Sequence, residues 1–333
     1  AELQVDLSVN EDGEWDGMDE DFVQPGKRVR IEIKVGDGDF VPLIDGPIVA
    51  NRFELAAEVQ ASQMVVVVQD DSVLLNRDET VALFEDQRAD EIASQLFSDA
   101  GLTAEVDQVP DAGSALERFV VQRGTTMQLL RELARRHGMF VYVKPGESPG
   151  ESVGVFRYPT WEPSELPELL LLGADRNVGT FRAELDALKP LTASAASVSA
   201  SDKTAVSSEI DTPDVDALGD EAVHDAFEPA ATLLARTREE QSDLDESATG
   251  AVNFSSFAFS AHAEVSADAY EGVLQPYSVV TVTGVGGTLS GDYLVDRVTH
   301  LISDNGYRQQ CEMKRNARSA GSGADGGLLG GLL

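Results

Sequence analysis

Residues 284–306 read GVGGTLSGDYLVDRVTHLISDNG, and this stretch decides between two kinds of fold. Four glycines within eight residues suit either a phosphate-binding loop or a bend between strands. A dinucleotide fingerprint needs a strand, GxGxxG and a following helix, and a P-loop needs GK followed by Ser or Thr. The residues after these glycines lack the good helix formers of a βαβ unit, and no GK follows. The stretch therefore predicts β-structure, with no nucleotide and no other cofactor.

A strand is predicted for the apolar part of this stretch. Asn305-Gly306 is typical of a type I′ hairpin turn, so the run from Asp292 to Ser303 lies between two bends and pairs on both sides. We expect a positive φ at Gly286 or Gly287, where the chain reverses.

The first eighty residues also have β character. Pro25-Gly26 predicts a turn, and RVRIEI after it alternates apolar and polar residues with the period of a half-buried strand. FVPLIDGPIVA then pairs back as a second strand, and MVVVVQD from Met64 has the β-branched run of a more deeply buried one.

The period changes to that of helices after about Asp78. RADEIASQLFSDAGL predicts a helix that ends before Gly101, and TTMQLLRELARRHG predicts another with Thr125 or Thr126 as N-cap and Gly138 as the C′ residue. Short strands, ERFVVQ and MFVYVKPG, lie between and after them. Residues 80–154 are therefore predicted to form an α/β insertion.

The remainder of the chain returns to β-structure. LTASAASVSASDKTAVSSE predicts two strands with a turn at Asp202-Lys203, and residues 211–246 form an acidic segment with a helix from about Ala230 that DESATG ends. Everything from Ala251 is predicted as strand until a flexible Gly-rich tail. The predicted domains are residues 1–79 with 155–208, 80–154, 209–250, 251–318 and the tail 319–333.

Charge is the strongest compositional signal. The chain has 59 acidic and 25 basic residues, a net charge of −34. Such a surface disfavours nucleic acid and anionic membranes as partners. It also repels itself, which matters little at about 1 M salt, where the Debye length is roughly 3 Å. We interpret the acidity as adaptation to a salt-rich cytoplasm; the alternative is solubility within an assembly. No run of apolar residues is long enough to cross a membrane.

Candidate catalytic and metal-binding groups do not form recognisable motifs. The acidic NEDGEWDGMDED resembles the opening of an EF-hand but has Val23 where the bidentate Glu belongs. No G-x-S-x-G elbow is present, the four histidines lack metal-ligand spacing, and Cys311 has no neighbour that would lower its pKa. We expect no enzyme and no metal site. One basic cluster on the second helix is predicted to complement the helix dipole or to dock an acidic neighbour; it comprises Arg131, Arg135, Arg136 and His137.

The order of these segments resembles the phage late control gene D family, the baseplate hub of contractile tails, which is similar to the hub portion of VgrG spike proteins. The resemblance runs from about Pro25 to Asn316, and only SVSASDK departs from it clearly, where the family has a Gly-Trp-Asp-Pro type segment. The matching positions, all interpreted as structural, are Pro25, Gly26, Gly46 at a strand end, Gln122, Gly138, Leu289, Gly291, Tyr293, His300, Asn305, Gly306, Arg315 and Asn316.

The resemblance implies a mainly β, α+β protein with two antiparallel β-barrels and an α/β insertion. Three chains would form a ring of pseudo-six-fold symmetry that adapts a six-fold inner tube to a three-fold spike. The implied partners are further copies of the chain, the tube protein, a separate spike protein and other baseplate proteins, without membrane insertion. The implied location is the cytoplasm during assembly and afterwards a virion or an extracellular phage-like particle.

Two alternatives remain open at the level of sequence. One is a VgrG-like spike component of type VI secretion that carries effectors. The other is a tail-associated hydrolase, which requires a catalytic acid in a cleft.

Overall fold

A computed structural model describes residues 1–110, 119–199, 203–224, 228–235 and 241–319. The chain divides into two compact units. The first unit comprises Ala1–Lys34, Asp39–Ala134 and Phe140–Arg157, and the second comprises Val35–Gly38, Arg135–Met139 and the described residues from Tyr158 onward. Both units are built mainly from β-strands, as predicted.

The described residues of the first unit form eleven strands, two complete helices and most of a third. The strands are β1 (Glu2–Asp6), β2 (Ser8–Val9), β3 (Trp15–Asp16), β4 (Arg28–Ile33), β5 (Val41–Glu54), β6 (Gln63–Val68), β7 (Glu79–Glu85), β8 (Thr103–Val106), β9 (Phe119–Thr125), β10 (Phe140–Pro145) and β11 (Ser152–Arg157). The helices are α1 (Ser72–Asn76), α2 (Ala89–Asp99) and α3 (Thr126–Arg136).

Four groups of paired strands organise the described part of this unit, one of which is the short antiparallel pair of β2 and β3. β1, β6, β5 and β4 form a four-stranded antiparallel sheet in that order, with Met64, Val66 and Val68 of β6 buried on one face. β10, β11 and β8 form a second sheet, and β7 and β9 form a separate two-stranded ribbon. The predicted pairing of the two strands after Pro25 is thus confirmed.

The two predicted helices are also confirmed, together with their ends. α2 buries Ile92 and Phe97, and Gly101 just beyond it has φ +78°. At the start of α3, the Thr125 hydroxyl accepts a hydrogen bond from the Gln128 N–H (3.2 Å), while the Gln128 side chain accepts one from the Thr125 N–H (2.9 Å). Thr125 is therefore the N-cap of a reciprocal capping box.

The second unit contains eleven strands and one helix in its described part. The strands are β12 (Leu169–Leu170), β13 (Val178–Leu185), β14 (Leu191–Val198), β15 (Ala205–Ile210), β16 (Glu221–Ala222), β17 (Ala230–Ala235), β18 (Phe259–Ser266), β19 (Val279–Thr283), β20 (Gly291–Ser303), β21 (Gly306–Arg315) and β22 (Ala317–Arg318), and the helix is α4 (Gln241–Ser255).

A six-stranded sheet forms the core of this unit, in the order β12-β19-β20-β21-β18-β13. The sequence analysis grouped residues 155–208 with the N-terminal strands. Because β13 pairs with β18, the described residues of this segment from Tyr158 onward lie instead in the second unit. β14, with β15 and β17 as neighbours, forms a three-stranded sheet, and Leu244, Ala248 and Val252 of α4 lie fully buried against it.

Two predictions for residues 230–255 are wrong. The segment from Ala230 is strand β17, which pairs in parallel with β14, and the helix starts at Gln241 and includes DESATG and the residues up to Ser255. The reason is tertiary: Leu244, Ala248 and Val252 recur every fourth residue and bury one face, which outweighs the poor helix propensity of Gly250. The predicted flexible tail lies outside the described residues, apart from Ser319.

Candidate functional site

The opening stretch of the sequence forms strand β20 and its flanking bends. Gly284 and Gly286 have φ values of +73° and +96°, which confirms the expected reversal at Gly286. β20 pairs with β19 through Gly291–Leu294 and with β21 from Leu294 to Ser303. The two ladders overlap only at Leu294, so the predicted pairing on both sides from Asp292 to Ser303 is wrong for most of the strand.

The turn between β20 and β21 differs from the predicted type. Ser303 pairs with Gly306, so the reversal lies at Asp304 and Asn305, and only Gly306 has a positive φ, +101°. A type I′ turn requires a positive φ at both central residues. Gly306 therefore supplies the left-handed residue after the turn, and Asn305 hydrogen-bonds through its N–H to the Ser303 hydroxyl (3.3 Å).

Four of the predicted motif residues lie together at the guanidinium of Arg315: Leu289, Gly291, Tyr293 and Arg315 itself. Arg315 is 1% exposed. It lies 5.3 Å from the ring centre of Tyr293 and donates to the Leu218 and Ser290 carbonyl oxygens. A Cβ on Gly291 would lie 2.5 Å from Arg315 Nη2, so the glycine is needed for this approach. The Tyr293 hydroxyl donates to the Leu289 carbonyl oxygen at 2.7 Å.

The neighbouring Asn316 joins this group to a second segment of the same unit. Its side chain accepts a hydrogen bond from the Leu218 N–H (2.8 Å) and donates to the Asp216 carbonyl oxygen (2.9 Å). A cavity of about 380 Å³ lies beside Arg315, and its lining includes Glu162, Asp216 and Asp292. Because the guanidinium donates to neutral oxygens and acids line the cavity, this cluster fastens two segments and offers no anion site.

His300 lies on β20, half-buried against Tyr307 of β21. The rings stack with centroids 5.9 Å apart, and His300 Nδ1 lies 2.7 Å from the Tyr307 hydroxyl. Burial lowers the pKa of His300 to about 4. A bulge between Val295 and Arg297 interrupts the alternation of β20 before His300.

The first unit contains an ionic cluster that the sequence does not predict. Asp45, on β5, has a fully buried side chain that accepts hydrogen bonds from Arg28 Nε (2.6 Å), Arg30 Nη1 (3.1 Å) and the Gly150 N–H (2.8 Å). Arg28 also binds Asp71 through both terminal nitrogens, at 3.1 and 2.6 Å.

This cluster ties three parts of the first unit together. Ser152 at the start of β11 donates to Asp71 (2.7 Å), and Arg30 donates to the carbonyl oxygens of Gly146, Glu147 and Ser148 in the β10–β11 turn. Burial, the largest influence, raises the pKa of Asp45, but the hydrogen bonds from Gly150, Arg30 and Arg28 together hold it below its ordinary value. A single acid within the apolar stretch FVPLIDGPIVA was the available sequence signal.

Pro25, Gly26 and Gly46 have backbone roles near this cluster. Pro25 and Gly26 form the predicted turn before β4, with φ +89° at Gly26. Gly46 lies within β5 and not at its end, and a Cβ there would lie 1.9 Å from the Gln69 carbonyl oxygen. Gly46 is thus required for close backbone approach.

The remaining motif residues flank α3. Gln122 of β9 is 2% exposed and donates to the Gly124 carbonyl oxygen at 3.2 Å. Gly138, beyond the end of the helix, has φ +66°, as predicted for a C′ residue.

Reactive groups are sparse in the described part of the chain. No group of three or more His, Cys, Asp or Glu side chains there is arranged to hold a metal ion. Cys311 is buried in the six-stranded sheet, where its thiol donates to the Ala263 carbonyl oxygen (3.6 Å) and burial raises its pKa to about 11. No helix among the described residues has the length and apolarity needed to cross a membrane.

The most prominent exposed apolar surface of the first unit lies on the β7–β9 ribbon. Val81 and Leu83 of β7 are 83% and 55% exposed, and Phe119 and Val121 of β9 share the same face. The opposite face packs inward through Phe84 and Gln122. The sequence predicted a strand at ERFVVQ, which includes the start of β9, but it predicted neither β7 nor the exposure of one apolar face. This exposed face makes the ribbon the candidate interaction surface.

Three solved structures share this fold. The 43 kDa tail protein of prophage MuSo2 from Shewanella oneidensis is 15% identical, with a TM-score of 0.61 over 95% of this chain and 89% of that one. A tail protein from Neisseria meningitidis MC58 is 13% identical, with a TM-score of 0.57 over 88% and 84%. The E. coli c3393 protein, a component of the type VI secretion system, is 10% identical, with a TM-score of 0.55 over 94% and 68%.

Sequence comparison gives a family assignment. No curated protein matches the chain significantly. The profile of the Alg8 N-terminal domain matches residues 2–304, which is most of the chain. The chain therefore belongs to the Alg8 N-terminal domain family.

Proposed function

We propose that this protein is a structural component of a phage tail or a related contractile injection particle, and specifically its baseplate hub. The observation that carries the proposal is the similarity of fold to the prophage tail protein, which extends over 95% of the chain. The mechanism is mechanical: the hub binds the first ring of the inner tube on one side, holds the spike on the other, and leaves with both when the sheath contracts.

The hub proposal includes a homotrimer with two barrel-type β regions in each subunit. The four-stranded sheet of the first unit and the six-stranded sheet of the second are the proposed counterparts of these regions. Three chains would supply six such regions to a six-fold tube while keeping a three-fold axis for the spike. The motif residues would then serve to fasten strands, as the contacts of Arg315, Asn316 and Gly46 support.

The fold also supports one alternative, a spike component of type VI secretion. The favouring observation is the similarity to the E. coli c3393 protein. Both functions are structural, and they differ in the partners that the protein binds: tube and spike proteins of a particle in one case, effectors in the other.

Light scattering on purified protein, with and without the tube protein of the same particle, tests the proposal. The hub model predicts a mass of about three times 35.6 kDa and a complex with the tube protein. A stable monomer that never associates with tube protein would refute the hub model. A trimer that binds effector proteins and no tube protein would favour the alternative.

A further inference from the structure

The β7–β9 ribbon has an unusual free edge. Within the described part of the chain, β7 pairs only with β9, and no other backbone hydrogen bond involves it. Every second backbone N–H and C=O of an outer strand points away from its partner. A two-stranded ribbon is marginally stable by itself, whereas a third strand adds both hydrogen bonds and buried surface.

A groove runs along this free edge. Its volume is about 820 Å³, and β7 contributes residues from both of its faces: Ala82 and Phe84 from the inner face, Leu83 and Glu85 from the exposed one. Because side chains alternate between the faces, a cavity lined from both faces of β7 passes along its edge. The cavity also extends beneath the inner face of the ribbon, where Gln122 and Thr126 line it. The opposite wall comes from α1 and α2, through residues that include Leu74 and Leu96.

Between its terminal residues Glu79 and Glu85, the edge lacks several of the features that prevent strand addition. Natural edge strands carry lysine, proline or bulges. β7 reads ETVALFE, without lysine or proline, and its pairing with β9 is unbroken over all seven residues. Six consecutive positions, 80–85, offer about 20 Å of strand to a partner.

The charge of the groove restricts the occupant. Asp78, Glu85 and Asp99 line it, against one base, Arg77, which is already paired with Asp78 at 2.8 Å. An acidic strand would be repelled, while an uncharged or basic strand would be accepted.

We propose that the outer edge of β7 is a docking site for an extended segment of a different protein. The segment adds a third strand to the ribbon. It is uncharged or basic, and its alternate apolar side chains face α1 and α2, where Leu74 and Leu96 lie. Main-chain hydrogen bonds supply the affinity, and the groove selects the side chains. This site does not depend on the hub proposal, because any partner with such a segment fits it.

The test uses a displayed library of random seven-residue peptides, the length of β7, selected on the purified full chain. Enriched peptides are synthesised, and their binding is measured by fluorescence anisotropy. We expect uncharged or basic sequences with alternating apolar residues. Hydrogen exchange should show protection of alternate β7 amides when peptide is bound.

Matched variants locate the binding site. Leu83→Arg and Leu74→Arg change opposite walls of the groove and should weaken peptide binding about tenfold or more. Val81→Arg adds the same charge to β7 at its most exposed position, outside the groove lining, and should weaken binding less than either leucine substitution. Trp15 fluorescence during thermal unfolding verifies that each variant folds.

Several results would overturn the proposal. One is the enrichment of no peptide, and another is equal binding to wild type, Leu83→Arg and Leu74→Arg. If the unliganded chain self-associates and Leu83→Arg abolishes this, a second copy occupies the edge. If serine in place of the leucines at 328, 329, 332 and 333 speeds β7 amide exchange in the unliganded protein, the chain's own C-terminus is the occupant.

Discussion

Replacing Asp45 by asparagine tests the ionic cluster of the first unit most directly. The carboxylate has three donors within 3.1 Å and no solvent exposure. Asparagine keeps the shape of the side chain but removes its charge, so Arg30 loses its most buried acidic partner. The amide of asparagine also places N–H groups where one carboxylate oxygen accepted hydrogen bonds from Arg28, Arg30 or Gly150. Removing one partner of a buried ion pair costs about 3–5 kcal/mol, because the other charge remains buried without compensation.

This loss is large relative to the stability of a domain. For a unit of this size each kcal/mol lowers the unfolding midpoint by roughly 2–4 °C, so we expect a decrease of about 6–20 °C. The two tryptophans separate the units, because Trp15 lies in the first and Trp161, stacked on Phe257, in the second. In a Trp161→Phe background, fluorescence follows only the first unit.

The control and the pH dependence sharpen the experiment. Asp78→Asn removes an exposed partner of Arg77 and should leave the midpoint nearly unchanged. Since the folded pKa of Asp45 is lowered, its contribution is complete above the ordinary carboxyl pKa of about 3.9 and disappears as the pH falls through the lower folded value. A midpoint within about 1 °C of the parent protein in the Trp161→Phe background, or a shift that appears only in a Trp15→Phe background, would refute the reasoning.

Three further predictions concern a glycine, a histidine and salt. Gly46→Ala should prevent the first unit from folding, because a Cβ would lie 1.9 Å from a backbone oxygen, and the Trp15 melt should be lost. Gly179→Ala, in the second unit, leaves 3.6 Å of clearance and should give a normal melt followed by Trp161. A folded Gly46→Ala protein would contradict the close approach. His300 should titrate near pH 4 by NMR, and the urea midpoint of the second unit should fall from about pH 6.5 towards 4, because the unfolded state binds the proton first; His300→Gln should lack this fall. The melting midpoints of both units should rise between about 0.1 and 1 M KCl, because the Debye length shortens from roughly 10 to 3 Å and the acidic residues repel one another less. Midpoints that do not change with salt would argue against adaptation to salt.

Local patterns were sufficient for much of the fold. The alternation in RVRIEI, the capping residues Thr125 and Gly138, and the apolar face of α2 each depend on neighbours within a few positions, and each prediction is confirmed. These signals act before tertiary structure forms, so the sequence alone displays them.

The failures occurred where distant segments decide. Residues 230–235 have helix-forming alanine and leucine, yet parallel pairing with β14 makes them a strand. α4 forms in a sequence with low helix propensity because its Leu244 stripe is buried. The membership of β13 depends on pairing with β18, about eighty residues later, for which no local signal exists.

The candidate site was predictable only in part. Positive φ values were expected at glycines in the predicted turns. The contact of Tyr293 and Gly291 with Arg315, however, requires β20 and β21 to be paired in register. Asp45 was visible as a lone acid in an apolar strand, whereas its partners Asp71 and Ser152 come from separate segments. The exposed face of the β7–β9 ribbon depends on which face the helices cover, and a strand pattern does not specify that.

The burial of Cys311 has a practical consequence for imaging and labelling. Maleimides react with accessible thiolates. The Cys311 thiol is 1% exposed and its pKa is raised, so it should not react with a maleimide at neutral pH. It is also the sole cysteine of the sequence. A cysteine introduced at Val81 would therefore be the single reactive position, which permits a fluorophore or a gold cluster to be attached without first altering the native protein.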